Sequence, residues 1–305
     1  MSSAQNTEEE KDLTTIHKDT MDGWNKGGLI GTNLTQTSLT NWAGGGQSSL
    51  AISGLLSVHA IETEGDGLWE NTLDLAYGVL KQGNTRAWWK TDDKIDFTSK
   101  YGKIAFKKWY YAGLVNFKTQ FAPGFNYPND STKISDLMAP GYLITALGFE
   151  NKPKKEFGLF LAPVTVKMTF VSDQALADAG AFGVEKAIYD ESTGDKTTSG
   201  ETVRMEIGGY VRVFYTRDIM ENVTLQTKLD LFSNYAENPE NIDVSWEVLF
   251  SMKVNKYISA SLTTHLVYDH DIQIGIDSDG DDVVDSYGPR TQFKEVIAVG
   301  LSYKF

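Results

Sequence analysis

Near its C-terminal end the chain carries "DSDGDDVVD", which sets Asp277, Asp279, Asp281 and Asp285 at positions 1, 3, 5 and 9 of an acidic loop with Gly280 at the turn. Calcium takes six to eight hard oxygen ligands, and aspartates at alternate positions of a tight loop supply them. The EF-hand pattern asks for glycine at position 6 and glutamate at position 12, where this chain has Asp282 and Gly288. The spacing is closer to the calcium repeats of extracellular adhesive proteins. Two readings stay open: calcium ordering the loop 271–289, or a solvated acidic loop.

A nucleophilic site would need a serine or cysteine beside a base. There is no cysteine, which excludes disulfides and thiolate chemistry. Of the four histidines, His17 and His270 fall in the N-terminal tail and a loop. His59 and His265 fall in strand-like segments with no serine or acid specified beside them, so no enzyme is expected. A third constellation is larger. Asp74, Lys118, Arg204, Glu206, Arg212, Lys228, Asp230, Asp243, Glu247 and Lys253 all sit at polar positions of strictly alternating segments. Charges of both signs on one face of a sheet line an aqueous channel and set its selectivity, or pair with one another and fill a closed lumen.

Those segments dominate the chain. "NIDVSWEVLFSMKVNKY" puts Ile242, Val244, Trp246, Val248, Phe250 and Met252 on one face, with Asp243, Ser245, Glu247, Ser251 and Lys253 on the other. The same period of two runs through "NVTLQTKLDLF", "TVRMEIGGYVRVFY" and the terminal "EVIAVGLSYKF". Alternation predicts half-buried strands. Twelve are expected, near 27–37, 48–62, 68–81, 91–101, 107–121, 138–150, 156–170, 201–216, 221–234, 241–255, 257–270 and 290–305. Eleven residues rising about 3.3 Å each and tilted about 40° span roughly 28 Å, enough to cross a hydrocarbon layer. The connections alternate between short turns and long loops, as in bacterial membrane barrels.

Alternation alone also fits a soluble barrel with its apolar face inward. Three features favour the membrane. Twelve long charged strands would leave a soluble barrel's core very wide. Aromatics gather at strand ends (Trp88, Trp89, Trp109, Tyr110, Tyr111, Tyr257, Tyr268), as interfacial girdles do. The last strand also ends on an aromatic, Phe305. No apolar run approaches the length of a membrane helix, and a net charge of -13 argues against nucleic acid as a partner.

Several stretches resemble a Bacteroidota family of outer-membrane barrels catalogued as a domain of unknown function: "SLTNWAGGG", "TLDLAYGVLKQG", "KTDDKIDFTSKYG", "TQFAPGFNYPND", "LADAGAFGV", "DIMENVTLQTKLDLFSNY", "NIDVSWEVLFSMKVNKYISASL" and "GPRTQFKEVIAVGLSYKF". The resemblance runs from about residue 23 to the end. It implies the outer membrane of a Gram-negative cell and no assigned activity or catalytic residue.

The expected fold is all-β: a twelve-stranded antiparallel transmembrane β-barrel over 23–305 with short periplasmic turns and long external loops. A short acidic periplasmic tail, 1–22, precedes it, so both termini are periplasmic. The expected partners are outer-membrane lipid, the barrel-insertion machinery acting on the C-terminal strand, and envelope proteins. Calcium is the one cofactor considered. The stretch 171–200 is expected as an external loop with a helical turn, or as a segment that folds inward to constrict the barrel or covers its mouth. Two functions follow: a narrow diffusion pore for small polar solutes, or a non-conducting accessory or scaffold subunit of a cell-envelope complex.

Overall fold

The computed structural model describes residues 23–39, 47–83, 87–154, 156–255, 258–276, 278 and 284–304. Twelve long strands are β1 (Gly23–Thr37), β2 (Ser49–Glu64), β3 (Gly67–Gln82), β4 (Trp89–Phe106), β5 (Trp109–Thr119), β6 (Gly141–Lys154), β7 (Phe157–Phe170), β8 (Val203–Met220), β9 (Val223–Asn234), β10 (Ile242–Lys253), β11 (Ile258–Tyr268) and β12 (Gln292–Lys304). Each pairs antiparallel with its neighbour in sequence, and β12 returns to β1, closing a barrel. The expected twelve-stranded architecture is what forms, and strand limits move by only a few residues.

Closure removes the edges, which lipid does not tolerate because unpaired backbone groups find no water there. The two ends of the barrel differ. At one end the turns are brief, and three of them bend through positive φ at Gly65, Lys107 and Asn222. At the other end run the long loops, including 120–140 and 171–202. Three of the long loops carry small hairpins of their own, Gly124–Phe125 with Lys133–Ser135, Ile188–Tyr189 with Lys196–Thr198 and Ile274–Ile276 with Ser286–Gly288.

The register fixes which face is which. Asp74 of β3 stands opposite Asp96 of β4, which stands opposite Lys118 of β5. Asp230 of β9 stands opposite Arg212 of β8, and Glu247 of β10 opposite Lys228. All of these point inward. The outward set is apolar and exposed: Ile30, Leu147, Val164, Met205, Ile207, Ile297, Val299 and Leu301. Aromatic pairs Trp24–Trp69, Phe106–Trp109 and Tyr111–Phe149 gather on the outside toward the short-turn end, with ring centroids 5.9, 6.3 and 5.5 Å apart. Aromatic rings flanking an apolar band are the interfacial belt of a membrane barrel.

One side of the interior is packed. Ala112, Leu114, Ala146, Phe160, Ala162, Tyr210 and Phe232 form a buried cluster across β5 to β9. Between Leu161 and Thr165 β7 carries one extra residue, and this bulge faces Gly148 on β6 and Gly208 on β8. A Cβ on Gly148 would lie 2.0 Å from the Leu161 carbonyl oxygen, and one on Gly208 would lie 1.9 Å from that of Ser233. Only glycine fits at either position.

The closing seam is the short one. Leu29–Thr32 of β1 register with Leu301–Lys304 of β12, while β1 uses its whole length against β2. Above Thr32 the Asn33 side chain lies over Gly300, whose Cβ would meet Asn33 Oδ1 at 1.9 Å.

Leu147, on β6, is 61 % exposed on the outward face. Leu147→Arg is expected to destabilise the barrel by about 2–4 kcal/mol, the depth-dependent cost of a cation on the lipid side. Reversible unfolding from phospholipid vesicles measures it. A change within about 0.5 kcal/mol would mean that this face does not meet hydrocarbon.

Candidate functional site

Three layers of ion pairs, each assembled from strands far apart in sequence, occupy the lumen. The first lies toward the short-turn end. Lys100 Nζ is 2.6 Å from both Glu70 and Glu150, and Lys152 Nζ is 2.9 Å from Glu70 and 3.6 Å from Glu150. Two lysines neutralise two glutamates supplied by β3, β4 and β6. Glu70 and Lys152 sit on strands with two others between them, so this bridge cuts across the lumen rather than along the wall.

The second layer is the belt of Asp74, Asp96, Arg212, Lys228, Asp230 and Glu247. Arg212 holds Asp230 with two parallel bonds of 2.6 and 2.8 Å. Lys228 lies 3.0 Å from Glu247. Asn116 Nδ2 donates to Asp96 at 2.7 Å, and Ser57 Oγ donates to Asp74 at 2.5 Å. Burying ionised groups is tolerated only when each is paired or hydrogen-bonded, and the belt meets that condition.

The third layer is at the long-loop end. Lys167 Nζ gathers three carboxylates, Asp243 at 2.6 Å, Asp269 at 3.1 Å and Glu206 at 3.4 Å. Arg204 joins Glu206 at 3.2 Å, bonds Asp271, and donates to the Gly183 carbonyl at 3.3 Å. That last bond ties the loop 171–202 to the barrel wall.

This loop is compact. Its helical turn, Gln174–Asp178, is capped by Asp173, whose Oδ1 accepts from Ala175 and Leu176 N–H groups. Val171, Ala177 and Val184 bury themselves with Ala139 of the neighbouring loop, and Leu176 and Phe182 pack alongside. The helical turn was legible in the sequence; the bond from Arg204 to the Gly183 carbonyl, and the Asp271 carboxylate that holds Arg204, were not. Outside the spanning segments, Lys133 bridges Asp136 at 2.7 Å and Asp173 at 2.5 Å, joining the loops 120–140 and 171–202. Its hydrogen bonds hold both carboxyls below their usual range. Asp178 falls further, to about 2, chiefly through the bond from Lys196.

Between the layers lie two chambers. One of about 170 Å³ is lined by Asp74, Asp96, Arg212, Lys228, Glu247 and Gln226, among others. The other, of about 300 Å³, is lined by Asp92, Lys94, Lys118, Glu247, His265 and Lys294, among others. They share Glu247 and Thr263 in their walls.

Nine of the ten charges expected in the lumen belong to these layers and chambers: Asp74, Lys118, Arg204, Glu206, Arg212, Lys228, Asp230, Asp243 and Glu247. Lys253 sits exposed where β10 ends at the short-turn end. Sequence reasoning did not single out Glu70, Lys94, Asp96, Lys100, Glu150, Lys152 and Lys167. The same alternation would have found Glu70 and Asp96, each an even number of residues from an inward neighbour on its own strand. Lys152 keeps the parity of Ala146 and Glu150 on β6, whereas on β7 the buried set switches from Phe160 and Ala162 to Thr165 and Lys167 across a register break, so Lys167 escaped that rule.

His265 lines the larger chamber, with Ser245 Oγ 2.9 Å from its Nε2. His59 stands opposite Thr72, which lines the smaller one. Of the proposed calcium ligands, Asp277, Asp279 and Asp281 lie outside the described residues, as do the tail and Phe305. Asp285 accepts a hydrogen bond from Ser278 N–H at 2.7 Å.

Residues 34–125 match a family model described as "Protein of unknown function (DUF3078)". No curated protein matches the chain. Solved structures similar to it include an outer membrane channel, COG4313, from Pseudomonas putida F1, at 10% identity and a TM-score of 0.39, covering 95% of this chain and 99% of that one. The translocator domain of the autotransporter NalP from Neisseria meningitidis gives 10% and 0.34, covering 94% and 90%. The CymD monoaromatic hydrocarbon channel gives 10% and 0.34, covering 100% and 94%. At such values the likeness is one of general barrel shape, and nothing about the lumen is taken from it.

The Lys133 clamp and the Asp178–Lys196 pair set a pH dependence for the loop 171–202. Carboxyls depressed by folding contribute stability that is complete above the unfolded carboxylate value, 3.8 for aspartate, and is lost as pH falls toward their folded values, about 2 for Asp178. Hydrogen exchange in 171–202 is expected to remain slow from pH 7 to about 5, relative to intrinsic rates, and to rise below pH 4. Lys133→Ala is expected to raise it at pH 7. An unchanged protection profile in the variant would remove the clamp from this account.

Proposed function

We propose that the chain is an outer-membrane barrel that passes small polar solutes through a narrow, ion-paired lumen. The observation that carries this reading is the pair of chambers with charged residues in their walls, sharing Glu247 and Thr263, inside a ring whose outer face is apolar. A barrel that served only as a wall could fill that volume with packed apolar side chains, as it does on the side of Phe160 and Tyr210. Instead, both chambers are lined by charged groups able to replace part of a solute's hydration shell.

In this reading the short-turn end and both termini face the periplasm, and the outward band contacts outer-membrane lipid. The insertion machinery recognises the C-terminal strand, and no nucleic acid or enzymatic chemistry is involved. Calcium at Asp277, Asp279, Asp281 and Asp285 would order the loop 271–289. A second reading, a non-conducting subunit of an envelope assembly, is favoured by the Lys152–Glu70 bridge across the lumen. Envelope proteins would then be its partners.

Single-channel recording in a planar bilayer separates the two. Small ohmic steps are expected from the wild type. At least a doubling is expected from the charge-neutral pair Glu70→Gln with Lys152→Met, which opens the lower layer. A chelator changes the steps if calcium orders the external loop. Silence from both proteins, shown to be inserted and folded, would overturn the passage and leave the scaffold.

A further inference from the structure

On the outer wall, β12, β1, β2 and β3 form an apolar groove of about 880 Å³. Two rows of cross-strand neighbours make it. Tyr303, Ile30, Leu56 and Leu75 stand side by side in one row, and Leu301, Thr32, Gly54 and Tyr77 in the next. Thr32 and Gly54 keep the floor low. A Cβ on Gly54 would meet nothing nearer than the Gly31 carbonyl oxygen, at 3.8 Å. The Thr32 hydroxyl donates within the sheet, to the Ser53 carbonyl at 3.3 Å, so the floor needs no bond from an occupant. A hydrocarbon chain suits such a surface, and the residues at its foot say what kind of molecule carries that chain.

Below Ile30 the same wall carries a cation. Lys26 stands beside Ala60, one row above the line of Trp24, Glu62 and Trp69. It therefore lies on the hydrocarbon side of the tryptophan pair, and its Nζ turns back over the Trp24 ring, 5.1 Å from the centroid. Glu62 is half-buried between Trp24 and Trp69. Among the described residues neither Lys26 nor the Glu62 carboxylate has an ion-pair partner. A lysine at this level of a lipid face reaches for the interface, where phospholipid phosphates lie.

The depths agree. Ile30 and Thr32 follow Lys26 on one strand, so at about 3.3 Å a residue and a tilt of about 40° the groove lies roughly 10–15 Å deeper. That is one leaflet of a hydrocarbon core about 30 Å thick. Lys26 and Glu62 are diagonal neighbours across β1 and β2, about 7–8 Å apart at the backbone. A zwitterionic headgroup presents the complementary pair of charges, whereas a phosphate alone would leave Glu62 facing like charge.

We propose that the outer face of β1–β3 binds one phospholipid with a phosphoethanolamine headgroup, taken from the leaflet at the short-turn end. Its phosphate meets Lys26, its ammonium meets Glu62, and an acyl chain lies in the groove over Thr32 and Gly54. The proposal rests on the outward band meeting lipid, and not on solute crossing the lumen.

Native mass spectrometry tests it on the full chain, extracted in mild detergent and offered equal amounts of ethanolamine, glycerol and choline phospholipids with identical chains. One retained lipid per barrel is expected, with the ethanolamine form favoured at least fivefold over either of the others. Equal retention of the three, preference for another headgroup, or no retained lipid overturns the proposal.

Gly54→Leu fills the groove and leaves the headgroup residues alone; it is expected to reduce retention of all three lipids at least fivefold. Glu62→Gln is expected to bring the ethanolamine and glycerol forms level. Undiminished retention in Gly54→Leu would place the lipid elsewhere on the wall and overturn the site. The wild-type comparison needs no variant, so it decides even if a substitution fails to fold. A barrel that conducts yet retains no lipid counts against this site alone, while the vesicle measurement on Leu147→Arg tests the lipid face itself.

Discussion

Everything in this barrel follows from one requirement: in hydrocarbon each backbone N–H and C=O must be met within the chain. Twelve strands meet it by closing a ring. Closure assigns one face of every strand to lipid and the other to the lumen, and the period of two in a strand then sorts the side chains between register breaks. Apolar residues are carried outward and charges inward. Once inward, the charges face a second requirement, since an isolated ion in a narrow lumen is costly. The three layers of ion pairs answer the second requirement in the space created by the first.

The two answers differ in how far they can be read from a sequence. Strand count, strand length, the lipid face and the alternation of short and long connections all repeat locally, so the run from Ile242 to Met252 reveals its own two faces. The bond between Lys152 and Glu70 joins residues 82 apart in the chain, that between Lys167 and Asp269 residues 102 apart, and that between Lys294 and Asp92 residues 202 apart. Such partners depend on the stagger of the ring and on its bulges. A single slip, as beside Gly148, shifts every residue beyond it. Asp74, Arg212 and Glu247 were therefore legible as lumen residues, as were the cross-strand partners Asp230 and Lys228, while the bridges that span several strands were not.

The loop 171–202 illustrates the same divide at smaller scale. "SDQALAD" announces a capped helical turn, because Asp173 precedes a short run of helix formers. Its position over the barrel is set by Arg204 and Asp271, one on a strand and one on another loop, and by a handful of apolar contacts with Ala139. Local chemistry shaped the loop; distant electrostatics docked it.

The closing seam carries a mechanical consequence. Strength along a sheet scales with the number of backbone bonds sharing a load, and they share it like the teeth of a zip. Leu29–Thr32 against Leu301–Lys304 is a very short row of teeth beside the full-length row that joins β1 to β2. A tangential pull on this ring would part it between its first and last strands while every other junction held. The first and last strands thus meet at the weakest hoop of the structure, where the ring is first to be undone.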